Sequence, residues 1–400
     1  MITPAGDGVE ATWERICRGG STAAAPDPAL AGLPVDFSCR LPADADVDRG
    51  VGTRSAWRMS PLVKVAVSAA RDAVADAGLD PGSWDSPRVA VVIGCGVGDL
   101  GLWVDQSKRL AERGPGSVLP TSMPRALVNM PAGEIALALG ARGPSMATVT
   151  ACASGATALA VARRFLVAGL CDIALAGGVE MAVEPVPVTA FHQMGALSTL
   201  REKVEGASRP FARGRDGFVV GEGAAVLVLE RVEHARARGV RERAVLVGSG
   251  ESTDAHHATA PHPHGVGSEA ALRLALADAG LEIGDVDHVN AHATSTPVGD
   301  AAEAAMLARV LPHGPSVTAA KGVLGHTLGA AGAIEAALTV LSIERELVPP
   351  VANLDAANAE FDIDCVVKEP RSQRIRAALS NSFGFGGHNV VLAFVPGRNP

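Results

Sequence analysis

Short apolar runs that end in glycine alternate along this chain with alanine-rich stretches of helical spacing, and that alternation sets the fold class. In the first part of the chain the runs are Val89–Val97, Met146–Thr150, Asp172–Gly177 and Ala224–Glu230. Ala244–Gly248, Val286–Ala291, Ser316–Ala319, Ala377–Ser382 and Val390–Val395 follow in the second. Being apolar throughout rather than at every other residue, they read as strands covered on both faces. Between them Ser60–Ala77, Ala153–Ala168, Ser268–Ala279 and Gly329–Glu344 have helical spacing and composition. Strands alternating with helices predict an α/β fold. The Gly/Pro-containing segments Ala23–Pro34 and Ala260–Gly267 read as surface loops too short to be interdomain linkers.

A chain of 400 residues is long enough for two fused halves. Their boundary is expected where Ala244-Val-Leu-Val-Gly-Ser-Gly opens a second strand series, giving halves of residues 1–243 and 244–400. The first half should open on a similar strand, yet Ile2-Thr-Pro-Ala-Gly reads as the turn after one. The expectation is therefore that a first strand is missing.

Although 48% of residues are apolar, no run reaches the ~20 residues of a membrane span. No basic-then-apolar leader follows Met1. The six cysteines form no CxxC pair, which suits reduced thiols and a cytoplasmic location. A net charge of −8 argues against a general nucleic-acid binder.

Thr150-Ala-Cys-Ala-Ser-Gly joins a strand to the helix Ala153–Ala168 and presents Cys152 at the helix N-terminus. The macrodipole and free N–H groups there are expected to favour a thiolate and lower the thiol pKa. Taken alone, Cys152 reads first as a buried structural cysteine, the reading given to the other five. Three strand-end segments of the second half alter that balance. Asn290-Ala-His-Ala-Thr-Ser-Thr-Pro offers His292, Lys321-Gly-Val-Leu-Gly-His offers Lys321 and His326, and Asn381-Ser-Phe-Gly-Phe-Gly-Gly-His-Asn is a Gly-rich turn. Strand C-terminal ends are where α/β folds place their sites.

With these segments, Ala176-Gly-Gly-Val-Glu, Ser208-Arg-Pro-Phe and Arg215-Asp-Gly-Phe-Val-Val-Gly-Glu-Gly, the chain resembles the elongating β-ketoacyl-acyl-carrier-protein synthases over nearly its whole length. The resemblance implies a duplicated, five-layer αβαβα thiolase-like fold, and its opening strand independently implies that this N-terminus is short. It implies a decarboxylative Claisen condensation between an enzyme-bound acyl group and malonyl carrier protein. Cys152 would carry the acyl group, and the N–H groups of Cys152 and Phe385 would form the oxyanion hole. His292 and His326 would donate to the enolate oxygen, with Lys321 and Glu335 completing a buried charge network. Thr294 and Thr296 would bind pantetheine, Phe383 and Gly386 would line the substrate side, and Phe385 would gate. No cofactor is implied, because phosphopantetheine arrives on the carrier protein. The implied assembly is a homodimer, or a heterodimer with a chain-length-factor homologue. Arg54, Arg58, Arg209 and Arg213 are candidates for docking the acidic carrier.

Two departures from the family pattern stand out. Ala293 follows His292 where the family has Gly, and Trp103 falls where a smaller aliphatic residue lines the acyl pocket. A Trp filling that pocket predicts short or unusual acyl chains; one turned into a dimer interface does not. The same residues serve a type II polyketide ketosynthase, so the pathway stays open. A thiolase would need a second cysteine in the turn Phe383–Asn389, and a starter-unit synthase an Asn in place of His326. Two weaker readings are a metal loop at Asp254, His256, His257, His262 and His264, and a nucleotide turn at Gly94–Gly98.

Overall fold

The computed structural model describes residues 1–48, 51–52 and 56–397. Its strands are β1 (Ile2–Thr3), β2 (Gly6–Asp7), β3 (Val89–Gly94), β4 (Ser145–Thr148), β5 (Ile173–Met181), β6 (Glu222–Glu230), β7 (Ala244–Thr253), β8 (His288–Asn290), β9 (Ser316–Thr318), β10 (Leu347–Val348), β11 (Arg371–Ser372), β12 (Ala378–Gly384) and β13 (His388–Pro396). The helices used below are α1 (Val9–Arg18), α2 (Pro61–Asp76), α3 (Leu100–Arg113), α4 (Met130–Leu139), α5 (Ser154–Val167), α6 (Val266–Ala279), α7 (Pro297–Val310) and α8 (Ala331–Arg345).

One sheet runs β2-β1-β6-β5-β3-β4 and a second runs β7-β13-β12-β8-β9. With the hairpin strand β2 set aside, the two orders correspond strand for strand. The parallel pairs β5–β3 and β3–β4 match β12–β8 and β8–β9. The antiparallel pairs β1–β6 and β5–β6 match β13–β7 and β12–β13. This is the expected duplication.

The first strand is not wholly lost. Ile2–Thr3 sits beside β6 through Ile2↔Ala224, where the second half places the ten residues of β7. The chain then turns back at once, pairing Thr3 with Gly6. Two residues suffice because Ile2 is fully buried, which fixes the register of so short a strand.

Side chains alternate across each sheet and so divide the core into layers. Val89, Val91 and Ile93 of β3 pack with α2 and α4, while Ala90 and Val92 pack with α5. On β13, Val391 and Ala393 pack with α6 and α7, while Val390, Leu392 and Phe394 face the central layer. The result is helices, sheet, the central pair α5 and α8, sheet, helices: five layers. No helix among the described residues is long and apolar enough to cross a membrane.

The central layer is compressed where α5 and α8 begin. A Cβ built on Gly155 would lie 2.8 Å from the Ala333 nitrogen, and one on Gly178 would lie 2.6 Å from the Gly329 oxygen. These are backbone neighbours that cannot swing aside. Gly178→Ala should therefore reduce the unfolding free energy by about 1–3 kcal/mol in denaturant titration. Gly116→Ala, where a Cβ meets nothing within 4 Å, should change it by no more than about 0.5 kcal/mol.

Candidate active site

The turn between β4 and α5 is held in a strained shape by its own hydroxyls. Ala151 adopts φ 50°, a left-handed conformation that a non-glycine residue takes only when its surroundings impose it. The Ser154 hydroxyl accepts from the Thr150 N–H at 2.9 Å and donates to the Ala151 carbonyl at 2.6 Å. Thr148 Oγ1 donates to the Ser154 carbonyl at 2.8 Å, and Thr150 and Thr157 share a hydroxyl bond. Cys152 is thereby fixed at the corner with 8% of its surface exposed.

The thiol does not behave as a helix N-terminus alone would dictate. Burial pushes it up to about 11, against the opposing pull of Lys321 and of the Phe385 and Cys152 N–H groups. Desolvation of the anion outweighs the local dipole, so the resting sulfur is a thiol.

The second half supplies buried polar groups at its strand ends. Lys321 Nζ lies 3.4 Å from His292 Nδ1 and is paired with Glu335 Oε1; Lys321 and Glu335 each have 2% exposure. An ammonium has donors only, so His292 Nδ1 accepts and its Nε2 carries the proton. The His292 and His326 rings stand 5.5 Å apart at 84°, and Phe218 meets His326 edge-on at 5.2 Å. Burial holds both imidazoles well below their ordinary range, with Lys321 acting in the same direction. Both are neutral N–H donors at physiological pH. Glu335 is raised to about 7 by burial, opposed by Lys321.

Glu303 on α7 fixes the turn that carries His292. It accepts the N–H groups of His292 at 2.9 Å and Ala293 at 2.7 Å, and the Asn381 amide at 3.0 Å. Ala293 stands at φ 20°, the edge of the region that glycine occupies freely, and its methyl is buried in the second core. Thr296 caps α7 by accepting from Gly299, and the Thr294 and Thr296 hydroxyls lie 3.0 Å apart.

The Gly-rich turn closes over the nucleophile. A Cβ on Gly384 would lie 2.5 Å from the Thr150 carbonyl and 3.1 Å from the Cys152 nitrogen. Phe383 packs 5.7 Å from His292, and Phe385 lies 6.3 Å from Phe191. Gly386, at φ 85°, donates to the Ala258 carbonyl. Cys152, His292, Lys321, His326, Glu335, Phe383 and Phe385 are thus drawn into one centre from five segments.

The other expected site residues have exposure or partners of their own. Trp103 is 38% exposed on α3, beside the exposed Leu100 and Val104. Arg58 is tied to buried Glu134 by two bonds of 3.0 and 2.8 Å, so its charge is neutralised internally. Arg209 is held by the Gly206 and Gly214 carbonyls and Asp216. Arg213 is exposed, and Arg54 lies outside the described residues. The imidazoles of the metal-loop reading pack on one another, His256 to His262 at 4.9 Å, and Asp254 is engaged by Asn389 and the His262 N–H. Among the described residues no group of three or more His, Cys, Asp or Glu is arranged to hold a metal ion. The N–H groups of Gly96–Gly98, offered to a nucleotide by the sequence, are taken by Glu180. Ser154, Glu180 and Glu303 were given no role from sequence. A glutamate amid small apolar residues is the signal that marks the last two.

Removing Lys321 should leave Glu335 buried without its cation. Lys321→Ala is expected to lose about 3–5 kcal/mol of unfolding free energy. A carboxyl raised on folding contributes stability below its unfolded pKa and loses it as pH rises through the folded value. The loss should therefore be larger at about pH 9 than at about pH 6 in parallel denaturant titrations.

Residues 1–235 match the family model described as the beta-ketoacyl synthase N-terminal domain, and residues 243–355 match that of the C-terminal domain. The 3-oxoacyl-[acyl-carrier-protein] synthase 2 of Vibrio harveyi is 39% identical over 406 residues, covering 98% of this chain and 96% of that protein. Among solved structures, a β-ketoacyl synthase from Burkholderia phymatum STM815 superposes with a TM-score of 0.92 at 32% identity, covering 99% of this chain and 97% of that one. The ishigamide ketosynthase/chain length factor gives 0.91 at 32% identity, covering 99% and 96%. With both halves of the fold, the strand-end site and these similarities in agreement, the chain belongs to the β-ketoacyl synthase family.

Proposed function

We propose that the chain catalyses decarboxylative condensation of a Cys152-bound acyl group with a malonyl unit on an acyl carrier protein, as a 3-oxoacyl-carrier-protein synthase. The observation that carries this reading is a buried thiol at a strained elbow, enclosed with two neutral imidazoles that share a buried Lys–Glu pair. In the first step the sulfur bonds to the thioester carbonyl carbon, and the carrier thiol departs with the proton that Cys152 gives up. The Cys152 and Phe385 N–H groups, which favour negative charge on the sulfur, are placed to receive the tetrahedral oxyanion. In the second step the malonyl C–CO2 bond breaks and CO2 leaves. Its electron pair forms an enolate whose oxygen accepts from His292 Nε2–H and His326. The enolate carbon attacks the acyl group, the new C–C bond forms, and the Cys152 C–S bond breaks, leaving a thiolate that takes up a proton from water to restore the resting thiol. Neutral imidazoles suit this work, because an imidazolium would hand its proton to the enolate and quench it. Phosphopantetheine arrives on the carrier, and no step calls on a resident cofactor.

The acidic carrier needs cations that are not already paired. A cleft of about 450 Å3 is lined by Arg18, Lys203, Arg209, Asp355 and Lys368; Arg18 is paired with Glu14 and Arg209 with Asp216, which leaves the two lysines. Lys203 and Lys368 are exposed, and among the described residues neither has an acidic partner. This cleft is a better docking surface than Arg58. The exposed edge strand β4, with Met146, and the exposed Leu137 on the adjoining α4 support assembly through this face with a second copy. The 38% exposure of Trp103 favours a place at a partner's surface over pocket filling. The polyketide reading is favoured specifically by the likeness to a ketosynthase/chain length factor pair.

A malonyl-dependent condensation assay across acyl-carrier substrates of graded length tests the main reading. Cys152→Ala should abolish product, and His292→Ala should slow turnover by about 10²–10³-fold, the effect of losing one transition-state donor. Condensation that survives Cys152→Ala would sink the proposal. In the same assay, Trp103→Ala should leave chain-length preference unchanged if Trp103 belongs to the interface. Charge reversal at Lys203 and Lys368 together should raise the apparent KM for carrier-bound substrate and spare a small thioester analogue. Equal effects on both substrates would exclude docking there.

A further inference from the structure

We infer that Glu180 is a positioning residue for this reaction, clamping the turn after β3 to the start of the second half's central helix behind the Cys152 elbow and holding the sulfur as a thiol between turnovers. The inference rests on Cys152 being the nucleophile and adds a residue that the catalytic steps do not touch.

Glu180 lies near the end of β5 and is completely buried. Its Oε2 accepts from the N–H groups of Gly96 at 2.8 Å, Val97 at 3.1 Å and Gly329 at 3.2 Å. Its Oε1 accepts from Val97 at 3.2 Å and Gly98 at 3.3 Å, and from the Cys95 thiol at 3.6 Å. Among the described residues no cation is paired with it. Such a carboxylate persists in a core only where oriented donors replace water, and here they come from both halves of the chain. A glutamine would turn an NH2 group toward this ring of donors, so the clamp requires the carboxylate.

The clamp reaches the nucleophile's turn through Gly96. A Cβ on Gly96 would lie 2.8 Å from Glu180 Oε2 and 3.3 Å from the Ala151 carbonyl, so the glycine that the carboxylate holds is packed against the Ala151–Cys152 peptide. Gly329, its donor in the second half, occupies the place that Cys152 holds in the first. Each follows a residue with left-handed φ, Leu328 at 46° and Ala151 at 50°. Glu180 thus takes the N–H that is the counterpart of the Cys152 oxyanion donor, and ties that elbow to the turn after β3.

Its charge acts on the sulfur from the same place. Glu180 raises the Cys152 thiol, while Lys321 is the charged group that lowers it. Glu180 is itself raised to about 7 by burial, against the pull of its backbone donors. The titratable groups facing it are Cys95 from the β3 turn and Cys152 from the elbow; the 328–330 turn contributes none.

Two measurements test the inference on the whole protein. Iodoacetamide alkylation of Cys152, followed on its own peptide by mass spectrometry across pH, reads the thiol without any acyl substrate. Failure of the condensation reading would therefore leave this readout intact. Glu180→Gln should shift the alkylation profile to lower pH, by on the order of tenfold in rate per pKa unit near neutrality, while slowing condensation. A merely structural loosening would also raise the limiting alkylation rate at high pH, where the thiol is fully ionised, whereas the clamp predicts that limit unchanged. An alkylation profile that superimposes on the wild type, in a folded variant, would overturn the inference. If Glu180→Gln does not fold, the wild type decides: the logarithm of the alkylation rate should rise with less than unit slope near neutral pH as Glu180 ionises. A unit slope throughout would overturn it equally.

Discussion

The site exists because two helix starts and one strand approach at backbone distance in the middle of the molecule. Gly155, Gly178, Gly329 and Gly332 leave no room between α5, β5 and α8. Any side chain larger than hydrogen at Gly178 would meet the Gly329 carbonyl, the Gly155 Cα and the Ala330 Cα together. That contact lets the thiol of one half and the imidazoles of the other share a single pocket. It also explains the alanine richness of the central layer, where Ala153, Ala156, Ala158, Ala160 and Ala162 pack beside Ala336. Larger residues would add apolar burial but would move the two elbows apart, so closeness is obtained at the expense of buried volume.

Packing this tight removes water, and the energetic problem then becomes the buried ionisable groups. Glu180, Glu303, Glu335 and Lys321 are all at most 3% exposed. Apart from the Lys321–Glu335 pair, the carboxylates are held by N–H donors rather than by cations. Oriented backbone dipoles solvate a charge without importing a flexible side chain, and that suits a site whose geometry must hold to within a fraction of an ångström. The same dryness keeps the imidazoles neutral and the sulfur protonated. Desolvation is therefore the largest influence on the resting state of the thiol and both imidazoles, with the Glu180 charge adding to it at the sulfur and Lys321 at the rings.

The elements of this arrangement were unequally legible in the sequence. Strands β3, β5, β6 and β13 and the helices α2, α5 and α8 announce themselves by local pattern, because burial on both faces writes a continuous apolar run. Cys152, His292, Lys321 and His326 announce themselves as reactive groups at strand ends. What local pattern does not carry is long-range pairing. Arg58 read as a free cation because its partner Glu134 lies on α4, 76 residues away. The direction of the Cys152 shift was misjudged for the same reason: the helix start is local, but the packing that excludes water from it comes from the turn at Gly384. Glu180 and Glu303 were passed over because their partners are main-chain groups, which have no signature in the alphabet of side chains. The first strand read as absent because two residues are too few to show alternation, and only the register Ile2↔Ala224 reveals it.

The duplication finally explains why the chemistry is divided as it is. The strand ends Gly94 and Asn290 occupy matching places, each paired with a threonine of the neighbouring strand, Thr148 and Thr318. Two residues on, the first half has Gly96 where the second has His292. At the following elbow the relation reverses, Cys152 in the first half against Gly329 in the second. Each half has thus kept one functional side chain and reduced the matching position to glycine. With a side chain at all four positions the centre would be overfilled: a Cβ at Gly329 would lie 2.4 Å from the Gly96 nitrogen, and one at Gly96 would press on the Glu180 carboxylate. A symmetric ancestor with both groups on both halves could not pack in this form. The asymmetry of the site is therefore a consequence of the closeness that makes it work: Cys152 and His292 stand on opposite halves because neither matched pair of positions has room for two side chains.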